Sequence, residues 1–160
     1  LTGVLRAAAE HPGTALVEIY QNCNIFNDGA FEVLKDKEQA AEAVIRLEHG
    51  QPILFGSQHP QGVIRDPATG DLHVAPVTDE NRSQVLIHDA HAESPTTAFA
   101  LSRIADTDTL HHTPIGVLRS VKRPVYDTLM ADQLDTAVEQ NGKGDLGTLL
   151  AGNDTWTVVG

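Results

Sequence analysis

The only cysteine of the chain, Cys23, sits in the stretch "LVEIYQNCNIFND", where an apolar run from Leu16 to Tyr20 stops at a polar knot. A thiol in that place has three readings. It is a buried small hydrophobe, since free cysteine is among the most buried residue types. It is a nucleophile, which needs a neighbouring base and an electropositive setting; the flanking sequence is neutral to acidic and no histidine lies nearer than His11. Or it is a metal ligand. Zinc and iron–sulfur sites take about four ligands, so Cys23 alone holds neither, but it can complete a set whose other members lie elsewhere. Its position favours a ligand role. Cys23 follows the end of the strand-like "LVEIY" by three residues, and open α/β sheets bind ligands just beyond the carboxyl ends of their strands.

Eight histidines in an acidic chain also invite a metal reading. "HDAH" places His88 and His91 three apart and "HH" places His111 beside His112, yet zinc requires two further ligands converging on either pair. The simpler reading of His88 is a structural turn after a strand, with Asp89 capping the next segment. On a strand, His111 and His112 would point to opposite faces, as solvent or interface residues. Asn22, Asn24, Asn27 and Asp28 lack the spacing and the distal glutamate of a calcium loop. They read as residues that hold a tight loop by side-chain to backbone bonds. No P-loop and no Gly-x-Ser-x-Gly element occurs, and "NGKGDLG" comes after a helix, as a stop and turn.

The elements that must position these residues are bounded first by size and charge. The chain has 160 residues, about one domain's worth. Eleven basic against 22 acidic residues give a net charge of −11, a surface that repels nucleic acid and anionic lipid. That leaves a basic partner, or a small acidic protein that docks on some other subunit. No run approaches the length of a membrane span. One cysteine cannot form an internal disulfide, which fits a reducing, cytoplasmic setting. The opening "LTGVLRAAAE" is no secretory signal and reads as a helix already under way. The expectation is a piece of something longer, with part of its site outside these residues.

Helical spacing of Leu1, Val4, Leu5 and Ala8 predicts a helix broken at Pro12 and Gly13. "TALVEIY" predicts a strand buried on both faces of a parallel sheet. Asp28 is the expected cap of a short helix carrying Phe31 and Leu34. "AVIRLEHGQPILFG" predicts a hairpin about "EHGQP", and "GVIRDPATGDLHVAPV" a second about "DPATGD". "QVLIHD" reads as a short strand, "SPTTAFALSRI" as a helix starting at Ser94 and Pro95, and "TPIGVLRSV" as a further strand. The clearest helix is "RPVYDTLMADQLDTAVEQNG". Tyr126, Met130, Leu134 and Ala137 share a face expected in the core, and Asn141–Gly142 is the stop. "DLGTLLAG" is a helical turn and "TWTVVG" a closing strand. The fold class is therefore α/β, in two parts: residues 1–27 as the tail of an α/β sheet domain, and residues 28–160 as a small α+β domain rich in hairpins.

The segments "EIYQNCNIFNDGAFE", "HGQPILFG", "GVIRDPATGDLHV", "VLIHD" and "TPIGVLR" together resemble the C-terminal part of the β subunit of 2-oxoacid:ferredoxin oxidoreductases, and most of all the two-subunit, 2-oxoglutarate type. The most specific piece is the Cys-x-x-x-Asn loop, here Cys23 and Asn27. The resemblance implies that Cys23 is the last ligand of a [4Fe–4S] cluster and that the Asn27 loop runs near thiamine diphosphate. It implies oxidative decarboxylation of a 2-oxoacid with coenzyme A, giving an acyl-CoA, CO2 and reduced ferredoxin, with an α subunit as partner. The family's Gly-Asp-Gly motif, which with a downstream asparagine holds Mg2+ and the diphosphate, is absent, as are the remaining cluster cysteines. So this chain alone is expected to bind no cofactor and to be inactive. The other reading is a non-catalytic packing or subunit-interaction module from about residue 28 onward.

Overall fold

The computed structural model describes residues 1–160, which divide into two compact units, 1–122 and 123–160. In the first unit, helix α1 (Thr2–Glu10) ends before Pro12 and Gly13 as its sequence requires. Two short helices come next, α2 (Glu32–Lys35) and α3 (Lys37–Ala43). The cap of α3 is Asp36, whose carboxylate accepts the Gln39 amide at 2.9 Å; this satisfies one of the orphan donors of a helix start. Asp28, the expected cap, instead accepts a bond from the Asn22 side chain.

The strands are β1 (Val44–Leu47), β2 (Leu54–Phe55), β3 (Gln61–Arg65), β4 (Leu72–Pro76) and β5 (Thr113–Gly116). β3 and β4 form the antiparallel hairpin expected about "DPATGD", in register Val63 opposite Val74. Asp66 builds the turn by accepting the amides of Ala68 and Thr69. The other expected hairpin is not formed. β2 pairs with β3, while β1 runs parallel to β5, with Leu47 opposite Gly116. Apolar pattern identifies such runs as strands and says nothing of which edge each will meet. Gly116 makes the parallel pairing possible: its φ is +137°, and a Cβ there would lie 2.6 Å from the Leu47 carbonyl oxygen. "QVLIHD" is threaded between Pro52–Ile53 and Ile64 by single bridges and backbone bonds rather than forming a full strand.

The core lies between these strands and helix α4 (Thr96–Ser102). Ile45, Ile53, Val63 and Leu101 are almost wholly buried, with Leu47 and Phe55 against them. Each such side chain contributes on the order of 1.5–3 kcal/mol. α4 begins one residue later than expected, with the Ser94 hydroxyl accepting the Thr96 amide. Glu42 at the end of α3 accepts the Ser57 amide and hydroxyl and the Gln58 amide, fastening α3 to the loop after β2. Those donors, Gln58 first, hold its carboxyl below the usual range.

Residues 14–20, expected as a buried parallel strand, form no regular element, and Leu16, Ile19 and Tyr20 are exposed. A strand of that kind needs neighbours on its edges and cover on its faces, and no segment of these residues pairs with it. In the second unit, α5 (Tyr126–Asn141) ends at Gly142, φ +77°, as its sequence predicts, and α6 (Leu146–Ala151) is capped by Asp145. The face expected in the core is exposed instead, Leu134 by 59%. "TWTVVG" forms no strand and its apolar side chains are exposed.

Candidate functional site

The loop around Cys23 is closed in three nested layers. At its base the rings of Tyr20 and Phe31 stack, centroids 5.2 Å apart and nearly parallel. Inside that, Asn22 acts as a staple: its amide donates to the Asp28 carboxylate at 3.0 Å and its carbonyl accepts the Gly29 amide at 2.9 Å. At the centre the Asn27 amide donates to the Cys23 carbonyl at 2.8 Å, which turns the chain back on itself. This is the loop-holding role expected of the asparagines, and Asn22 fills it.

The turn wraps its own backbone around the sulfur. The amides of Phe26, then of Ile25, and to a smaller degree Asn27, hold the Cys23 thiol below its ordinary pKa, against a smaller opposing effect of burial. The thiolate is the metal-binding and nucleophilic form, so the loop favours the species that ligation needs. Cys23 is half-buried rather than sunk in a core. Asn27 is exposed beside it, and at the tip Ile25 and Phe26 are 78% and 91% exposed.

A cluster ligand fits this cradle. The chain could supply only one cysteine to such a set, Cys23, and no group of three or more histidine, cysteine or acidic side chains is placed to hold a metal ion. Thiamine diphosphate is a different matter. The Gly-Asp-Gly motif that holds its diphosphate and Mg2+ in the resembled family has no counterpart in this sequence.

His88 and His91 do not converge. His88 is buried in the core, with Nε2 2.8 Å from the Val117 carbonyl; that contact requires Nε2–H as donor. His91 is exposed, donates from Nδ1 to the Ser120 carbonyl at 2.7 Å, and donates from its backbone amide to the Asp89 carboxylate at 2.9 Å. Spacing alone did not reveal that His49 would stack on His91, centroids 4.4 Å apart, or that the His49 Nδ1 would accept the Ala90 amide. These contacts join the β1–β2 turn to the segment before α4. Nor do His111 and His112 lie on a strand. They sit in a turn ahead of β5, where His112 has φ +60° and its ring meets Phe55 edge-on at 5.7 Å. Burial first, then the neighbouring His111, lowers the pKa of His112.

No family model matches the chain, and no solved structure matches it. Among curated proteins it is 46% identical over 160 residues to "2-oxoglutarate oxidoreductase subunit KorB" of Mycobacterium tuberculosis. The match takes in 99% of this chain and 42% of that protein, so the chain spans about two-fifths of the length of its curated relative. The resemblance read from the sequence is thereby borne out: over nearly its whole length the chain is similar to a subunit of a 2-oxoglutarate oxidoreductase.

Proposed function

We propose that this chain is part of the β subunit of a 2-oxoglutarate:ferredoxin oxidoreductase and that Cys23 is one thiolate ligand of its [4Fe–4S] cluster. The observation that supports the reading most is the 46% identity sustained across 99% of the chain. In the full enzyme, bound thiamine diphosphate with Mg2+ supplies the electron sink for decarboxylation, and the cluster supplies the one-electron relay. The residues of this chain have narrower tasks. The Phe26 and Ile25 amides favour the Cys23 thiolate. The Tyr20–Phe31 stack and the Asn22 staple fix where its sulfur points. Asn27, exposed beside it, would lie near the thiamine diphosphate of the full enzyme. On this reading residues 1–27 close the cofactor-binding α/β domain. The uncovered Leu16 and Ile19 fit a strand that awaits that sheet. Residues 28–160 form the C-terminal α+β domain.

The reaction is oxidative decarboxylation of 2-oxoglutarate with coenzyme A, giving the acyl-CoA and CO2, with the electrons passing to ferredoxin. The α subunit completes the assembly in a reducing, cytoplasmic compartment. The test is the full-length polypeptide co-expressed with its α subunit. It should reduce ferredoxin or a one-electron dye only when both 2-oxoglutarate and coenzyme A are present, and the 160-residue chain alone should be colourless and inactive. A complex that reduces the dye with neither substrate dependence nor iron would refute the reading. A role as a subunit-interaction module is favoured for one part only, residues 123–160, whose large apolar side chains are exposed.

A further inference from the structure

We infer that His49 is the moving part of a proton-operated latch: neutral, its imidazole holds segment 88–91 across the carboxyl ends of the parallel strands β1 and β5, and protonated, it lets the Ala90 amide go. The latch stands whether or not the enzymatic reading holds. The β1–β2 turn leaves β1 after Leu47, and segment 117–120 leaves β5 after Gly116, the residue opposite Leu47. Both therefore issue from the same end of the parallel pair, with segment 88–91 between them. Backbone bonds fasten that segment to the turn, from the Gly50 amide to the His88 carbonyl and from the His88 amide to the Gln51 carbonyl. On the other side the Ser120 amide donates to the Ala90 carbonyl. Side chains of His49, His88 and His91 add to these bonds, and His11, after α1, places Nδ1 3.5 Å from the Ser120 hydroxyl. Four of the chain's eight histidines thus gather at one place.

Backbone partners fix each tautomer, because a carbonyl only accepts and an amide only donates. His88 carries a proton on Nε2 toward the Val117 carbonyl, while its Nδ1 is buried with no hydrogen-bond partner. A second proton would meet no acceptor there, so His88 is the fixed anchor. His91 carries its proton on Nδ1, toward the Ser120 carbonyl. His49 is wired the opposite way. Its Nδ1 accepts the Ala90 amide at 3.2 Å, which requires a neutral ring with the proton on Nε2. The same Nδ1 stands 3.5 Å from the Asp89 carboxylate. One nitrogen has a donor and an acceptor within reach, and its own charge chooses between them. With a proton on Nδ1 it turns to Asp89 and leaves the Ala90 amide, in a residue only 3% exposed, without an acceptor. Imidazoles change charge between about pH 5 and 8, and the His49 side chain is half exposed, open to solvent protons. The stacked ring of His91, centroid 4.4 Å away, would then face a cation, so like charge opposes a second proton. The remaining charged groups on the elements that meet here are Glu48 in the turn, Glu93 beyond His91, and Arg119 and Lys122 after β5. Arg119 donates to the Glu93 carbonyl.

The experiment is amide hydrogen exchange of the full-length polypeptide, read by mass spectrometry and corrected for the intrinsic effect of pH. Between about pH 7.5 and pH 5.5, protection of the Ala90 amide should fall about tenfold, the worth of one ordinary hydrogen bond, while the β3–β4 amides keep theirs. His49→Asn offers an amide oxygen near the place of Nδ1 and takes no proton there; it should keep Ala90 protected at both pH values. His49→Phe keeps a ring against His91 but has no acceptor, and should leave Ala90 unprotected at both. Four outcomes overturn the latch: Ala90 protection in the wild type that does not change with pH; a fall of the same size in His49→Asn; loss at β3–β4 alongside Ala90, which is unfolding of the whole unit; or exchange at the His49 C2 position showing a neutral ring at the lower pH. If His49→Phe does not fold, the wild type and His49→Asn decide the matter alone.

Discussion

Replacing Gly116 by alanine tests the least expected feature of the fold, the parallel pairing of β1 with β5. Gly116 sits opposite Leu47 with φ +137°. An added Cβ would stand 2.6 Å from the Leu47 carbonyl oxygen and 3.2 Å from its Cβ. The nearer atom is backbone, so relief requires the strands to part. Holding a non-glycine residue at that φ costs about 1–3 kcal/mol, and overpacking a tight contact about 1–3 more. The expected loss is therefore about 2–6 kcal/mol for the 160-residue chain. Urea unfolding followed by far-ultraviolet circular dichroism is the assay. Tryptophan fluorescence is the wrong probe, because the single tryptophan, Trp156, lies exposed in the second unit and reports nothing of β1. An unchanged slope with a lowered midpoint is the predicted result. If β1 paired with β2 as a hairpin, Gly116 would be free to change, and a loss below about 0.5 kcal/mol would refute the parallel pairing.

Ile45→Ala, at a wholly buried position, should cost about 2–5 kcal/mol by the same assay. Leu134→Ala, at a position 59% exposed, should change the chain's own stability by less than about 0.5 kcal/mol. Asn22→Ala removes both staple bonds of the Cys23 loop and should raise hydrogen exchange at the Gly29 amide while leaving the β3–β4 amides protected. Acid should act in two stages. His112 has its folded pKa lowered below 6.5, so its contribution is intact above that pH and is lost as pH falls through it. Asp66, Asp106 and Glu42 are held low by backbone amides; their contribution is present above 3.8 for the aspartates and 4.5 for Glu42, and is lost as pH falls further. A stability that rises between pH 7 and 5 in urea titrations at fixed pH would contradict this ordering.

Local chemistry was the part of the structure legible in the sequence. The "DPATGD" hairpin, the start of α4 to within one residue, and the stop of α5 at Gly142 follow from turn and cap preferences that act over a few residues. Partner choice was not legible. Ile45 and Leu47 announce a buried strand, but its neighbour is 69 residues away and depends on Gly116 having no side chain. Burial of the apolar runs at Leu16–Tyr20 and along α5 was overestimated for one reason: apolar pattern says that a face seeks cover, and these residues do not contain the cover. At the candidate site, Cys23 and Asn27 were singled out by position and resemblance, whereas the inward-facing amides of Phe26 and Ile25 could not be. They belong to the backbone, and the Tyr20–Phe31 stack that supports the loop joins residues 11 apart.

The most direct test of the central claim is the iron content of Cys23→Ser in the full-length β subunit, purified with its α subunit under exclusion of oxygen. Serine preserves the shape of the side chain but offers a hard, weakly acidic hydroxyl where an iron–sulfur cluster takes a soft thiolate. The account predicts that cluster iron and its visible absorbance fall together with 2-oxoglutarate-dependent reduction of a one-electron dye. Thiamine diphosphate should still bind, since this chain holds none of its diphosphate anchors. A variant that keeps its full complement of cluster iron and transfers electrons normally would contradict the assignment of Cys23 as a ligand.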